Sequence, residues 1–206
     1  MIYLVRHGET EWSRDHRHTG RTDLALTARG EQQARDLKTS LARLRPPGYD
    51  HVFTSPQHRA LETCTLAGFG RVAVVDSDLR EWDCGDYEGL TLAQIHATRP
   101  GWRLFRDGCP GGESPEQVTA RARSVIARLH SLERDGLRPS VLLFSHAHFL
   151  SALASCWIDM TAREGARLRL DTAAIGILDV EHGNSDERSI VAWNISPPYP
   201  GHNPVG

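Results

Sequence analysis

Two apolar runs in this chain stop abruptly at a histidine: Ile2-Tyr3-Leu4-Val5 leads into Arg6-His7-Gly8, and Val141-Leu142-Leu143-Phe144-Ser145 leads into His146. A third run, Tyr49 to Thr54, leads into Ser55-Pro56, with Arg59 shortly after. In an open α/β sheet, ligands bind beyond the carboxyl ends of the strands, so residues just past such an edge are placed to do chemistry. An arginine offers a fixed fork of donors that fits phosphate or carboxylate, and a neutral imidazole can attack or carry a proton. Gly8 lacks the Cβ that would keep a ligand from the backbone. Alone, Arg6-His7-Gly8 reads equally well as the start of a solvated loop. With Arg59 and His146, it gives the positive charge and donors that a phosphoryl dianion needs. Two guanidiniums beside an imidazole also favour its neutral form, which can attack phosphorus in line.

Those positions require particular elements. Residues 2–5 and 141–145 have the uninterrupted apolar character of buried strands. Thr27 is a fitting N-cap, and Ala34, Leu37, Leu41 and Leu44 repeat at helical spacing until Pro46-Pro47-Gly48 breaks the pattern. Residues 49–54 read as the second strand and Gln57 to Ala67 as a helix, which puts Arg59 in a first turn, where backbone N–H groups attract anions. A short strand at Val72–Val75 is followed by a loop from Leu79 to Gly89, a helix over Leu90–Thr98, and a loop or lid from Trp102 to Gly112. Ser114-Pro115 opens a further helix, with Gln117 as capping-box partner and Val118, Ala122, Val125, Ile126 and Leu129 as its apolar stripe. Phe149 to Trp157 is the helix after the second buried strand. Ala173–Val180 and Ile190–Asn194 read as an antiparallel hairpin joined at His182-Gly183-Asn184, at the edge of the sheet. This alternation predicts an α/β fold, a three-layer α/β/α sandwich whose central sheet is mostly parallel with an antiparallel edge strand.

Length and composition suit one domain, expected over 1–196, with a proline- and glycine-rich C-terminal tail over 197–206. Hydrophobic residues make up 39%, charged residues 24%, and the formal net charge is −2, so an anion site must come from local clustering of arginine, and nucleic acid is not an expected partner. Cys64, Cys84, Cys109 and Cys156 form no C-x-x-C pair, and the eleven histidines form no H-x-x-x-H arrangement with a nearby acid. No metal and no cofactor is therefore expected, and free thiols fit a reducing compartment. With a core strand from Ile2 and no run of about 18 apolar residues, neither a signal peptide nor a membrane span is expected, and the predicted location is cytoplasmic.

Arg6-His7-Gly8-Glu9-Thr10, Trp12, His18-Thr19-Gly20 and Asp23-Leu24-Ala25-Leu26-Thr27-Ala28-Arg29-Gly30, with matching pieces as far as Ser145-His146, closely resemble the histidine phosphatase superfamily, the phosphoglycerate-mutase-like enzymes. The resemblance implies that His7 is the nucleophile and is transiently phosphorylated. Glu81 stands at the family's acid/base position, and His146 at that of the second histidine, which stabilises charge in the transition state. Arg6 and Arg59 would bind the phosphate, helped by Ser13, Thr19, Gly20 and the backbone of Ala147. Three positions depart from the family pattern: Ser13 where Asn is frequent, Ala147 where Gly is usual, and Ser151 where Arg is common. His148 is an additional imidazole, read either as a substrate contact or as a structural support.

The segment Glu81-Trp82-Asp83-Cys84-Gly85-Asp86-Tyr87-Glu88-Gly89, together with Arg106-Asp107-Gly108-Cys109, is similar to the phosphatase branch, including its sedoheptulose-bisphosphatase-like and acid-phosphatase members. The resemblance thus implies a phosphatase acting on a small phosphorylated metabolite, a sugar phosphate or related phosphomonoester. Phosphoglycerate mutase is the first alternative, in which Arg99, Arg103 and Arg106 would serve a carboxylated substrate. A non-catalytic phosphate-binding module is the second. Trp82 and Trp102 could wall the substrate or cover the core, and a homodimer stays open as the assembly.

Overall fold

A computed structural model describes residues 1–45, 48–134, 137–181 and 187–197. The expected break at Pro46-Pro47, the turn at 182–184 and the tail beyond residue 197 lie outside the described residues. The chain begins with β1 (Ile2–Arg6), α1 (Glu11–Arg14), α2 (Ala28–Leu44), β2 (His51–Thr54), α3 (His58–Leu66) and β3 (Val74–Val75). It continues through α4 (Leu92–Thr98), α5 (Leu104–Asp107), α6 (Pro115–His130), β4 (Val141–Ser145), α7 (Ala147–Trp157), β5 (Ile175–Val180) and β6 (Arg188–Ile195).

The six strands form one sheet in the order β3-β2-β4-β1-β5-β6. β1, β2, β3 and β4 pair in parallel, while β5 runs antiparallel to both β1 and β6, which gives the expected hairpin at the sheet edge. Successive side chains of a strand point to opposite faces, and β1 divides accordingly. Ile2 and Leu4 join Val141 and Leu143 in one core with Val118, Ala122, Val125 and Ile126 of α6 and Phe149, Leu150 and Leu153 of α7. Tyr3 and Val5 join Leu142 and Phe144 in the other, with Leu37 and Leu41 of α2 and Cys64 of α3. Burial on both faces explains why β1 and β4 carry continuous apolar runs. Two helical layers around a mostly parallel sheet make the α/β/α sandwich.

The helix ends follow the sequence closely. Thr27 caps α2 by accepting from the Gly30 amide, and Ser114 and Gln117 form a reciprocal capping box at the start of α6. Other boundaries shift. β2 starts at His51 rather than Tyr49; α4 starts at Leu92, because Thr91 takes the cap position. α7 starts at Ala147 rather than Phe149, which makes His146 its N-cap residue. The segment 102–112 holds the short helix α5, and Trp102 at its start is 1% exposed with Nε1 donating to the Gly108 carbonyl at 2.8 Å. Trp82 is likewise buried, with Nε1 donating to the Glu113 carbonyl. Both rings cover the core because burial of a large apolar surface is available there along with a partner for the indole N–H.

Arg121 of α6 fastens the segment that carries Glu81. Its Nε and Nη2 donate to the two carboxylate oxygens of Glu113 at 2.9 and 2.7 Å, and its Nη1 donates to the carbonyls of Asp78 and Arg80, both at 2.8 Å. The guanidinium also stacks over the Phe149 ring, 4.2 Å from its centroid. Removing one member of a buried ion pair leaves the other charge uncompensated. Arg121→Leu is therefore expected to lower stability by about 3 kcal/mol in urea unfolding followed by circular dichroism, whereas a loss under about 1 kcal/mol would show the network to be dispensable.

Candidate active site

β1 delivers His7 to the edge of the sheet, where its amide donates to the Ser145 carbonyl and its own carbonyl accepts from Ala173. The ring is 5% exposed, and Nδ1 lies 2.7 Å from the Gly8 carbonyl oxygen. A carbonyl only accepts, so this bond assigns the ring proton to Nδ1 and leaves the Nε2 lone pair free. Burial first, then the charges of Arg59 and Arg6, hold the His7 pKa well below the ordinary histidine value. Gly8 keeps its place because its amide donates to Thr63 Oγ1 at 3.0 Å and a Cβ would strike the Gly30 backbone of α2.

His146 is wholly buried, and its ring centroid stands 5.2 Å from that of His7 at a tilt of 58°. Arg59 Nε donates to His146 Nδ1 at 3.2 Å, so Nδ1 is an acceptor and the proton sits on Nε2, 2.8 Å from Ser55 Oγ. Burial and then the Arg59 charge push this pKa well down as well. Two neutral imidazoles thus face one another with opposite tautomers.

Arg59 departs from its expected role as a bidentate phosphate ligand. Its Nη1 donates to the Thr22 carbonyl at 2.8 Å and its Nη2 to the Gly20 carbonyl at 3.1 Å, so the guanidinium ties down the 19–22 loop and supplies charge from behind the two histidines. The physical reason is burial: a fully buried guanidinium has to satisfy its donors, and the loop carbonyls do this. Arg6 is the more available fork. Its Nη1 donates to the Leu170 carbonyl at 2.7 Å, while Nε is buried with no hydrogen-bond partner among the described residues.

Glu81 sits 6% exposed beside these groups. Its Oε1 accepts from the amides of Trp82 and Phe149 at 2.8 and 2.9 Å, and its Oε2 accepts from the His148 amide at 3.3 Å. Burial alone would raise its pKa, but the adjacent His148 ring and the Trp82 amide outweigh that effect and hold it well below the usual carboxylate range. In the unliganded protein Glu81 is a carboxylate.

A cleft of about 850 Å³ opens over Arg6, His7 and Glu81, and Ser13, Thr19, Ala147 and His148 also line it. Ser13 is committed to the end of α1, where Oγ donates to the Thr10 carbonyl and accepts from the Thr10 amide. Gly20 lies off the cleft: its amide is bound by Glu88, and an added Cβ would meet the Cys84 amide nitrogen at 2.6 Å. Its lack of a side chain serves packing rather than phosphate contact. Arg14, His16, Arg17, His18, Arg29 and Arg169, none of them expected as a site residue, also line the cleft. A density of basic residues over 14–18 was the available signal for the first four. Arg99, Arg103 and Arg106 are absent from that lining; Arg106 is bound to Asp107 and the Gly101 carbonyl.

A sequence model of the histidine phosphatase superfamily, branch 1, matches residues 2–196. The chain belongs to this superfamily. An acid phosphatase of Mycobacterium tuberculosis is 43% identical over 184 residues, covering 88% of this chain and 87% of the relative. The probable phosphoglycerate mutase GpmB of an Enterobacter species is 35% identical over 189 residues, covering 88% and 85%. Among solved structures, the product of the open reading frame Rv3214 of Mycobacterium tuberculosis superposes with a TM-score of 0.87 at 39% identity, covering 95% of this chain and 97% of that one. Within this histidine phosphatase, the place where an arginine is common is filled by Ser151, whose Oγ donates to the Leu168 carbonyl at 2.6 Å and closes that corner without a charge.

Because the folded pKa values of His7 and His146 are depressed, both rings stay neutral where a free histidine takes up a proton. In an NMR titration their ring signals are expected to show no midpoint between about pH 5.5 and 8; a midpoint near 6.5 would contradict the electrostatic assignment. By linkage, the unfolded chain binds protons that the folded rings refuse, so stability falls as pH drops below the ordinary histidine value.

Proposed function

We propose that this enzyme hydrolyses small phosphomonoesters through a phosphohistidine on His7, with Glu81 as general acid and then general base. The observation that carries this reading is the free Nε2 of a neutral, buried His7 at the floor of the cleft, beside a carboxylate and under two guanidiniums. Nε2 attacks phosphorus in line as the bond to the leaving oxygen breaks, and Glu81, once protonated, gives its proton to that oxygen. A phosphate dianion in the cleft favours the protonated carboxyl by repulsion. Water then attacks the phosphohistidine, Glu81 takes a proton from it, and phosphate leaves.

Arg6, with its unpartnered Nε, would hold the equatorial oxygens, and the Ala147 N–H at the start of α7 is available to them. Arg59 and His146 would act from behind, by charge and by fixing the floor of the site. A small phosphorylated metabolite suits a cleft lined by Arg14, Arg17, Arg29 and Arg169, with Phe105 and Leu168 offering apolar contact to its leaving group. Those arginines, together with the similarity to GpmB, favour a mutase as the second reading, since they could retain a carboxylated intermediate. A silent binding module has no use for a buried carboxylate beside a nucleophile, and nothing in the site recommends it.

Incubation with a labelled phosphomonoester and acid quench is expected to leave acid-labile phosphate on the wild type and none on His7→Ala, which should also lose at least about a thousandfold in kcat. Release of phosphate from an aryl phosphate should exceed phosphoglycerate isomerisation. Isomerase flux above phosphate release would give the protein to the mutase reading instead.

A further inference from the structure

The proposed mechanism leaves one proton without a source. Glu81 must begin the reaction as an acid, yet in the free protein it is an ionised, buried carboxylate held by three backbone amides. A group able to hand it a proton has to stand next to it and reach the open cleft on its other side. His148 meets both conditions. Its Nδ1 lies 3.5 Å from Glu81 Oε2, is itself buried, and has no hydrogen-bond partner among the described residues. The rest of the side chain is 35% exposed and lines the cleft.

The surroundings hold the ring in this place. His18, from the loop after α1, stacks on it with an interplanar angle of 11° and a centroid distance of 6.2 Å. Phe105 of α5 meets it edge-on at 5.7 Å. The His148 amide donates to the same Oε2 that its ring faces, so backbone and side chain address one oxygen. The other titratable groups facing the ring are His18, whose Nδ1 donates to the Leu90 carbonyl at 3.1 Å, and Glu81 itself. Catalytic hydrogen bonds are commonly long before substrate binds, and a shift of a few tenths of an ångström would make this contact one.

We propose that His148 supplies the proton that turns Glu81 into an acid and recovers it within the same cycle. This rests on the phosphatase reading and adds a residue that works through Glu81 rather than on the substrate. As the phosphate enters, the Nδ1–H bond of protonated His148 breaks and an O–H bond forms on Glu81 Oε2, leaving a neutral imidazole and a carboxylic acid. Glu81 passes that proton to the leaving oxygen as the P–O bond breaks and His7 is phosphorylated. In the second step, water gives its proton to Glu81 and its hydroxyl to phosphorus. Glu81 returns the proton to His148 Nδ1, so the cycle closes with one water consumed and no other proton needed.

The test uses leaving groups of different need. A simple alkyl phosphate requires protonation of its departing oxygen, and 4-nitrophenyl phosphate requires almost none. In His148→Ala and His148→Gln, each checked for native ellipticity, the loss of kcat on the alkyl ester is expected to exceed the loss on the aryl ester by about tenfold or more. In a Glu81→Gln background that extra loss should vanish, because His148 then has nothing to charge. Equal losses on the two esters, or a persistent extra loss without Glu81, would overturn the proton supply while leaving the phosphatase reading intact. A wild type that turns over neither ester and carries no phosphohistidine would overturn both.

Discussion

The bond between His7 Nδ1 and its neighbour's carbonyl decides which nitrogen can act, and the rest of the site is arranged around it. A nucleophilic imidazole has to be neutral, while a phosphate site has to be positive. The structure meets both demands by burying the ring under guanidiniums, which repel a proton from it and attract the dianion. Two guanidiniums outweigh the single Glu81 carboxylate around the floor of the site. Such preorganised charge needs little rearrangement when the transition state forms.

Buried charge is costly unless paired, and each charged group here has been given partners. Arg59 binds loop carbonyls and one histidine, Glu81 receives three amides, and Arg121 holds the backbone that leads into Glu81. The catalytic floor is therefore also a set of structural ties. While Glu88 and Gln57 still hold the 19–22 loop, loss of Arg59 would remove two ties to it as well as a charge. A lysine in its place could satisfy only a few of these acceptors, because its donors sit on one compact head.

Much of this is legible in the amino-acid sequence. The apolar runs at 2–5 and 141–145, each ending at histidine, specify buried strands aimed at one edge, and Thr27 and Ser114-Pro115 mark helix starts by local hydrogen bonding alone. Arg6, His7, Glu81 and Ala147, each readable at a strand end, a loop or a helix start, line one cleft, and the His146 ring lies beside that of His7. What stayed hidden depends on contacts distant in sequence. No local pattern says that the donors of Arg59 are taken by carbonyls at 20 and 22, or that Gly20 is small to let residue 84 approach. Arg106, offered under the mutase alternative, is held by the adjacent Asp107 away from the cleft lining. Arg169 reaches the cleft only by way of the sheet's connectivity.

That connectivity turns on one reversed strand. Since β5 runs against β1, its first residue, Ile175, lies beside Val5, near the point where β1 ends. The chain leading into it, residues 168–174, is therefore delivered to the reactive rim, where the carbonyls of Leu170 and Ala174 receive Arg6 and the amide of Ala173 binds the carbonyl of His7. Had β5 followed the direction of its neighbours, this same stretch would approach the sheet from its far end. The strand that leads to His7 is thus gripped on its flank by a piece of chain some 165 residues away, so two stretches far apart in the polypeptide must both be in place before that histidine has walls.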